Sequence, residues 1–107
     1  MTLTNTTAWR ALEAHAESMR PQHLRDLFAG NTDRFKNFSL KQDGLLLDFS
    51  KQRIDGETHR LLLALAEAAG IDSWRQRMLA GETINTSEGR AVRHMALRAG
   101  AQAPAEV

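Results

Sequence analysis

The sequence predicts a mainly α-helical chain with one short β-hairpin. Three observations carry the prediction. Apolar residues recur three and four positions apart along several stretches, the spacing that builds one helix face. Capping residues and single glycines bracket those stretches. Asp43-Gly44 stands between two short runs of strand-forming residues, which is the signal of a tight hairpin.

Taken in order, Thr4 to Thr7 offer N-cap oxygens before a first helix, in which Trp9, Leu12, Ala16 and Met19 share a face. Arg10, Glu13 and Glu17 fall elsewhere on that wheel. Pro21 ends this helix or opens the next. Leu24, Leu27 and Phe28 form the apolar side of a second, shorter helix that Gly30 closes. NTDRFKNF, residues 31–38, reads as a further helical turn anchored by Phe35 and Phe38. The hairpin strands are expected over Phe38–Gln42 and Leu45–Ser50. Two strands alone are marginal in water, so the hairpin must pack on helices or join a sheet outside this chain.

Asp55 is placed to cap a third long helix, which Gly70 ends. Its apolar arc is wide, taking in Leu61, Leu62, Leu63, Leu65, Ala66, Ala68 and Ala69, as in a helix covered on several sides. A short helix starts at Ile71 and Asp72, holds Trp74, Met78 and Leu79, and stops near Gly81. The last helix is expected from Asn85, Thr86 or Ser87 to Arg98, with Asn85 and Glu88 in the positions of a capping box. The remaining AGAQAPAEV is small and unpatterned.

The bulk numbers narrow the function classes. A chain of 107 residues implies one domain, and 42% hydrophobic with 25% charged residues is an ordinary globular composition. A net charge of +1 is too balanced to suggest a nucleic-acid partner. The absence of cysteine removes disulfides, thiolate zinc sites and a cysteine nucleophile, and fits a reducing compartment. No basic segment followed by an apolar run is visible at the N-terminus. The longest apolar run, Leu61 to Ala66, falls far short of the roughly 20 residues that cross a bilayer. No membrane partner is therefore expected, and the expected location is cytoplasmic.

Arg90, His94 and Arg98 would form a cationic stripe on the last helix, opposite Val92, Met95, Ala96 and Ala99. Guanidinium groups in that pattern can bind carboxylate or phosphate. The plainer reading, a solvated or ion-paired face, is preferred because charge stripes on helices are usually surfaces. His15, His23, His59 and His94 include no pair at four-residue spacing, so no metal motif is present. Asp43 and Asp55 have local explanations as turn and cap residues, and Asp48 should face solvent opposite Leu47 and Phe49. No glycine-rich phosphate loop, nucleophile elbow or metalloprotease helix occurs. Trp9, Trp74 and the four phenylalanines are spaced as core anchors. Nothing at this level supports an enzyme contained within the chain.

Three segments carry a family resemblance. They are LRDLFAGNTDRFKNFS at 24–39, DGLLLDFSKQRI at 43–54 and GETINTSEGRAVRHMALR at 81–98, with Trp9 in AWRAL ahead of them. From about Ala8 to Arg98 the chain resembles the N-terminal portion of the glucose-6-phosphate isomerase (phosphoglucose isomerase) family. That family reads GE-x-IN-x-TE-x-RAVLH-x-ALR over the third segment. Ser87 stands where the family usually has threonine, and keeps a hydroxyl. Arg93 stands where it usually has leucine, so that side should be exposed or meet an acidic group.

The resemblance implies that residues 1–99 are the N-terminal helical segment of an α/β sugar-isomerase-domain enzyme. Residues 100–107 would be a loop, and the catalytic sugar-isomerase domains are absent. It implies interconversion of glucose 6-phosphate and fructose 6-phosphate through an enediol(ate), in glycolysis and gluconeogenesis. It also implies a homodimer that needs no cofactor. The implied partners are a sugar phosphate for the full-length enzyme, the remainder of its own chain and a second subunit. The family's base glutamate, ring-opening histidine and lysine, charge-steadying arginine and phosphate-binding Ser/Thr cluster match no position here. No catalytic, substrate-binding or metal residue is therefore carried over, and this piece alone is expected to be inactive. Arg90 and His94, which match the RAVLH motif, are candidates for shaping the wall of the active site, with a structural role preferred. The alternative is an independent small helical binding or scaffold module derived from that region.

Overall fold

A computed structural model describes residues 2–102 of the chain. The part of AGAQAPAEV beyond Gln102 lies outside the described residues. The architecture is mainly α-helical with a single two-stranded antiparallel hairpin among the described residues, as the sequence predicts. The chain divides into two compact units, one running to Leu65 and one beginning at Ala66.

In the first unit a 3-10 turn, Leu3–Asn5, leads into helix α1, Thr7–Met19. Thr6 caps it, its hydroxyl accepting the Trp9 N–H at 3.1 Å and donating to the Leu3 carbonyl at 2.7 Å. Of the predicted face, Met19 is buried, Trp9 and Leu12 are half-buried, and Ala16 is exposed. Helix α2, Leu24–Ala29, begins on His23, whose Nδ1 accepts the Arg25 N–H at 3.1 Å. Helix α3, Arg34–Asn37, is one turn long. Phe38 is 5% exposed and belongs to the core, but Phe35 is 50% exposed and anchors nothing. A single helical turn presents only one side inward, and Arg34, not Phe35, occupies it.

Strands β1, Ser39–Gln42, and β2, Leu45–Asp48, pair in the register Leu40 to Leu47 and Gln42 to Leu45. The turn needs positive φ at both central residues, and Asp43 at 51° and Gly44 at 80° supply it. The strands are shorter than predicted: Phe38 and Phe49 lie just beyond them, joined by the Phe49 N–H to the Phe38 carbonyl at 3.0 Å and packed ring edge to ring face at 5.8 Å. His59 joins them at 5.7 Å from Phe49. Helix α4, Gly56–Ala68, buries Leu61 in this core, yet Leu62 and Leu63 are exposed. The apolar arc read from the sequence is therefore only partly covered.

The second unit contains helix α5, Ile71–Leu79, and helix α6, His94–Leu97, then a 3-10 turn at Gly100–Gln102. The Arg77 guanidinium lies over the Trp74 ring at 4.4 Å and pairs with Glu82 at 2.7 Å. The long helix expected from Asn85–Ser87 to Arg98 does not form. Asn85 and Arg90 instead exchange both backbone hydrogen bonds, at 3.0 and 3.2 Å, as an isolated β-bridge. The reciprocal Asn85–Glu88 contacts do exist, each at 3.3 Å. They close a loop instead of opening a helix, because Gly89 takes the left-handed conformation at φ 66° and turns the chain back. Helical geometry starts only at His94.

Candidate functional site

The cationic stripe is the first sequence candidate to place. Arg90 closes the β-bridge, His94 opens α6 and Arg98 caps its end, so the three do not share a helical face. All three side chains are exposed, while Ala91, Val92 and Arg93 are half-buried. No group of three or more His, Cys, Asp or Glu able to hold a metal occurs among the described residues. Among the same residues, no helix is long and apolar enough to cross a membrane.

Two polar clusters in the first unit were not foreseen. One is built on Arg34, a residue only 2% exposed. Its Nε donates to the Ser50 carbonyl at 2.8 Å and its Nη2 to the Gln52 carbonyl at 2.7 Å. The rings of Phe28 and Phe38 lie 5.4 and 4.6 Å from it. Burying a cation is costly unless its donors are satisfied, and carbonyls with aromatic faces do that here without a carboxylate. The turn it holds is fixed again by Asp48, which accepts the Ser50 hydroxyl at 2.6 Å and the Ser50 N–H at 2.9 Å. Those bonds, the hydroxyl first, hold the Asp48 carboxyl below the usual aspartate range. Asp48 is exposed, as expected, and its role is to fix this turn. Arg53 then donates to the carbonyls of Met19 and Arg20, at 3.3 and 3.0 Å, which end α1.

The second cluster joins α1 to the start of α4. Asp55 accepts the Thr58 N–H at 2.8 Å and the Thr58 hydroxyl at 2.9 Å, and its own N–H donates to Thr58 Oγ1 at 3.2 Å. This is a capping box with threonine in the third helical position. His15 Nε2 lies 3.0 Å from Asp55 Oδ1 and 2.9 Å from Thr58 Oγ1. An ionised carboxylate only accepts, so Nε2 carries the proton. Partial burial raises the Asp55 pKa, but the Thr58 bonds and the His15 contact outweigh it, and the net shift is downward. A pocket of about 280 Å³ lined by Leu12, His15, Ala16, Met19, Arg20, Arg53 and Thr58 lies alongside.

This trio does not constitute a nucleophilic relay. In such a relay one imidazole nitrogen faces the hydroxyl and the other faces the orienting carboxylate. Here a single nitrogen meets both groups, and Thr58 already donates to Asp55. The cluster ties two helices together. The spacing Asp55-x-x-Thr58 was a visible cap signal, but nothing local pairs His15 with a residue 40 positions away.

Both polar clusters bond groups of the chain itself: carbonyls of the Ser50–Gln52 turn and the start of α4. A family profile for phosphoglucose isomerase matches residues 48–107, more than half of the chain. The chain is 66% identical over 103 residues to a glucose-6-phosphate isomerase of Dechloromonas aromatica, covering 96% of this chain and 20% of that protein. It is 54% identical over 97 residues to one of Anaeromyxobacter dehalogenans, covering 91% and 18%. With one of Deinococcus radiodurans it shares 48% over 105 residues, covering 98% and 19%. The chain belongs to the phosphoglucose isomerase family. It spans about a fifth of the length of these relatives.

Proposed function

We propose that residues 1–99 are the amino-terminal helical segment of a glucose-6-phosphate isomerase, with 100–107 a following loop. The whole enzyme would interconvert glucose 6-phosphate and fructose 6-phosphate, as a cytoplasmic homodimer in glycolysis and gluconeogenesis. The observation that carries this reading is identity of 66% across 96% of this chain to a relative of which it covers only 20%. The segment contributes packing and no chemistry, so it is inactive alone. Its partners are the rest of the isomerase chain and a second subunit. The sugar phosphate binds to the whole enzyme, and neither nucleic acid nor membrane takes part.

Arg90 and His94 are proposed to serve mainly a structural role, with the wall of the complete active site as the weaker alternative. Both are exposed in this piece and both match the family's RAVLH motif. An independent binding module is the less economical reading, because the matched relatives carry this segment as about a fifth of a longer isomerase chain. The test is a coupled isomerase assay on two samples. One is the chain alone; the other is a chimaera in which residues 2–102 replace the matching stretch of the Dechloromonas aromatica enzyme. Turnover is expected only from the chimaera.

A further inference from the structure

The chain contains two Asp-Gly pairs, Asp43-Gly44 and Asp55-Gly56. Glycine after aspartate leaves the next amide nitrogen with no side chain to shield it. The two pairs stand in opposite surroundings. Asp43-Gly44 is the tip of the hairpin, and both residues are exposed. Among the described residues no hydrogen bond or ion pair holds the Asp43 carboxyl group, and the Gly44 N–H has no acceptor. A Cβ at Gly44 would meet nothing within 4 Å, so the amide is open to solvent. The tip is secured only by two four-residue strands, paired last at Gln42 to Leu45, and such a short ribbon opens readily.

Asp55-Gly56 begins α4, and Asp55 is half-buried. Its carboxylate accepts the Thr58 N–H at 2.8 Å and the Thr58 hydroxyl at 2.9 Å, and lies 3.0 Å from His15 Nε2. These contacts pin the carboxyl group toward α1 and the first turn of α4. Against partial burial, they also hold it below the usual aspartate range. A carboxylate kept ionised is a poor target for a nucleophile, because the leaving oxygen must first gain a proton.

We infer that Asp43 is a site of spontaneous isoaspartate formation, and that the His15–Asp55–Thr58 cluster guards the second Asp-Gly pair against the same reaction. The Gly44 nitrogen loses its proton to solvent base and bonds Asp43 Cγ, and one carboxyl oxygen leaves as water. The product is a five-membered succinimide. Water then adds at the Asp43 main-chain carbonyl carbon, the bond from that carbon to the Gly44 nitrogen breaks, and the nitrogen regains a proton. One water is lost and one is gained, so the composition is unchanged. The main chain now runs through Cβ and Cγ of residue 43, one carbon longer, and a free α-carboxylate stands at the tip. The added carbon no longer fits the two-residue turn that sets the register of β1 and β2.

Ageing the 107-residue chain at neutral pH in water enriched in heavy oxygen tests this. Each succinimide hydrolysis adds one heavy oxygen, and trypsin separates the two pairs into peptides 42–51 and 54–60. In the folded chain, label should enter 42–51 at least about tenfold faster than 54–60. Asp43→Glu, which would need a six-membered ring, should abolish the 42–51 signal; persistent label there would move the reaction to Asp48 and overturn the assignment. In urea both pairs are free, and their rates should agree within about threefold. Thr58→Val and His15→Phe should each speed labelling of 54–60 and leave 42–51 unchanged. Equal labelling of the two peptides in the folded chain, no labelling of 42–51, or a tip preference that persists in urea would each overturn the proposal. A 54–60 peptide that stays slow in both variants would overturn the guarding role of the cluster.

Discussion

The stretch from Arg34 to Leu61 and the stretch from Gly81 to Arg98 both carry family motifs, but they are held in different ways. In the first, Arg34, Ser50, Thr58 and Leu61 are buried, and Asp48, Arg53 and Asp55 each bond backbone or side chains within the unit. In the second, one β-bridge and one turn of helix organise the backbone, and Arg90, His94 and Arg98 lie at the surface. The motif most specific in sequence is thus the one least tied down by its own neighbours.

The comparison can be broken by substitution, from the strongest effect down. Phe38→Ala should destabilise the chain by about 3–5 kcal/mol in urea unfolding, because it empties a core site. Phe35→Ala, at the exposed position beside it, should cost under about 1 kcal/mol. Arg34→Ala should cost about 3 kcal/mol, since the buried Ser50 carbonyl and the part-buried Gln52 carbonyl lose charge-assisted partners. Arg34→Lys should recover only part of it, for an ammonium cannot reproduce the fork. A loss under about 0.5 kcal/mol for Arg34→Ala would show that the cluster is decoration.

Asp55→Ala should cost about 1–2 kcal/mol through the lost cap. Its pKa is lowered on folding, so its contribution is present above the unfolded value of about 3.9 and fades as pH falls through the lower folded value. The wild-type and Asp55→Ala unfolding curves should therefore converge on acidification below about pH 4. A gap that widens there would contradict the cap assignment. Arg90→Ala should change the stability of the chain by less than about 0.5 kcal/mol. A larger loss would mean that the 81–98 stretch is anchored internally after all.

Much of this fold was legible in sequence because its signals are local. Thr6, Asp55 and Asp43-Gly44 each act within three residues of themselves, and each does what its type predicts. The failures have physical reasons. The apolar spacing of Val92, Met95, Ala96 and Ala99 suits a helix, but Gly89 and the Asn85–Arg90 bridge reverse the chain first. Phe35 was assigned to the core by type, whereas the aliphatic stem and flat guanidinium of Arg34 fill that side of the turn. His15 with Asp55 and Arg34 with Ser50 are pairings across 40 and 16 positions, which no short spacing encodes. The candidate wall residues Arg90 and His94 were legible only through the family motif.

The central claim is that this chain supplies fold and the rest of the isomerase supplies chemistry. The coupled assay of pure 107-residue chain beside the Dechloromonas aromatica chimaera tests it most directly. The account predicts no turnover of fructose 6-phosphate above a contaminant-controlled blank for the chain, and clear turnover for the chimaera. Activity in the chain alone, or a folded chimaera with none, would contradict it.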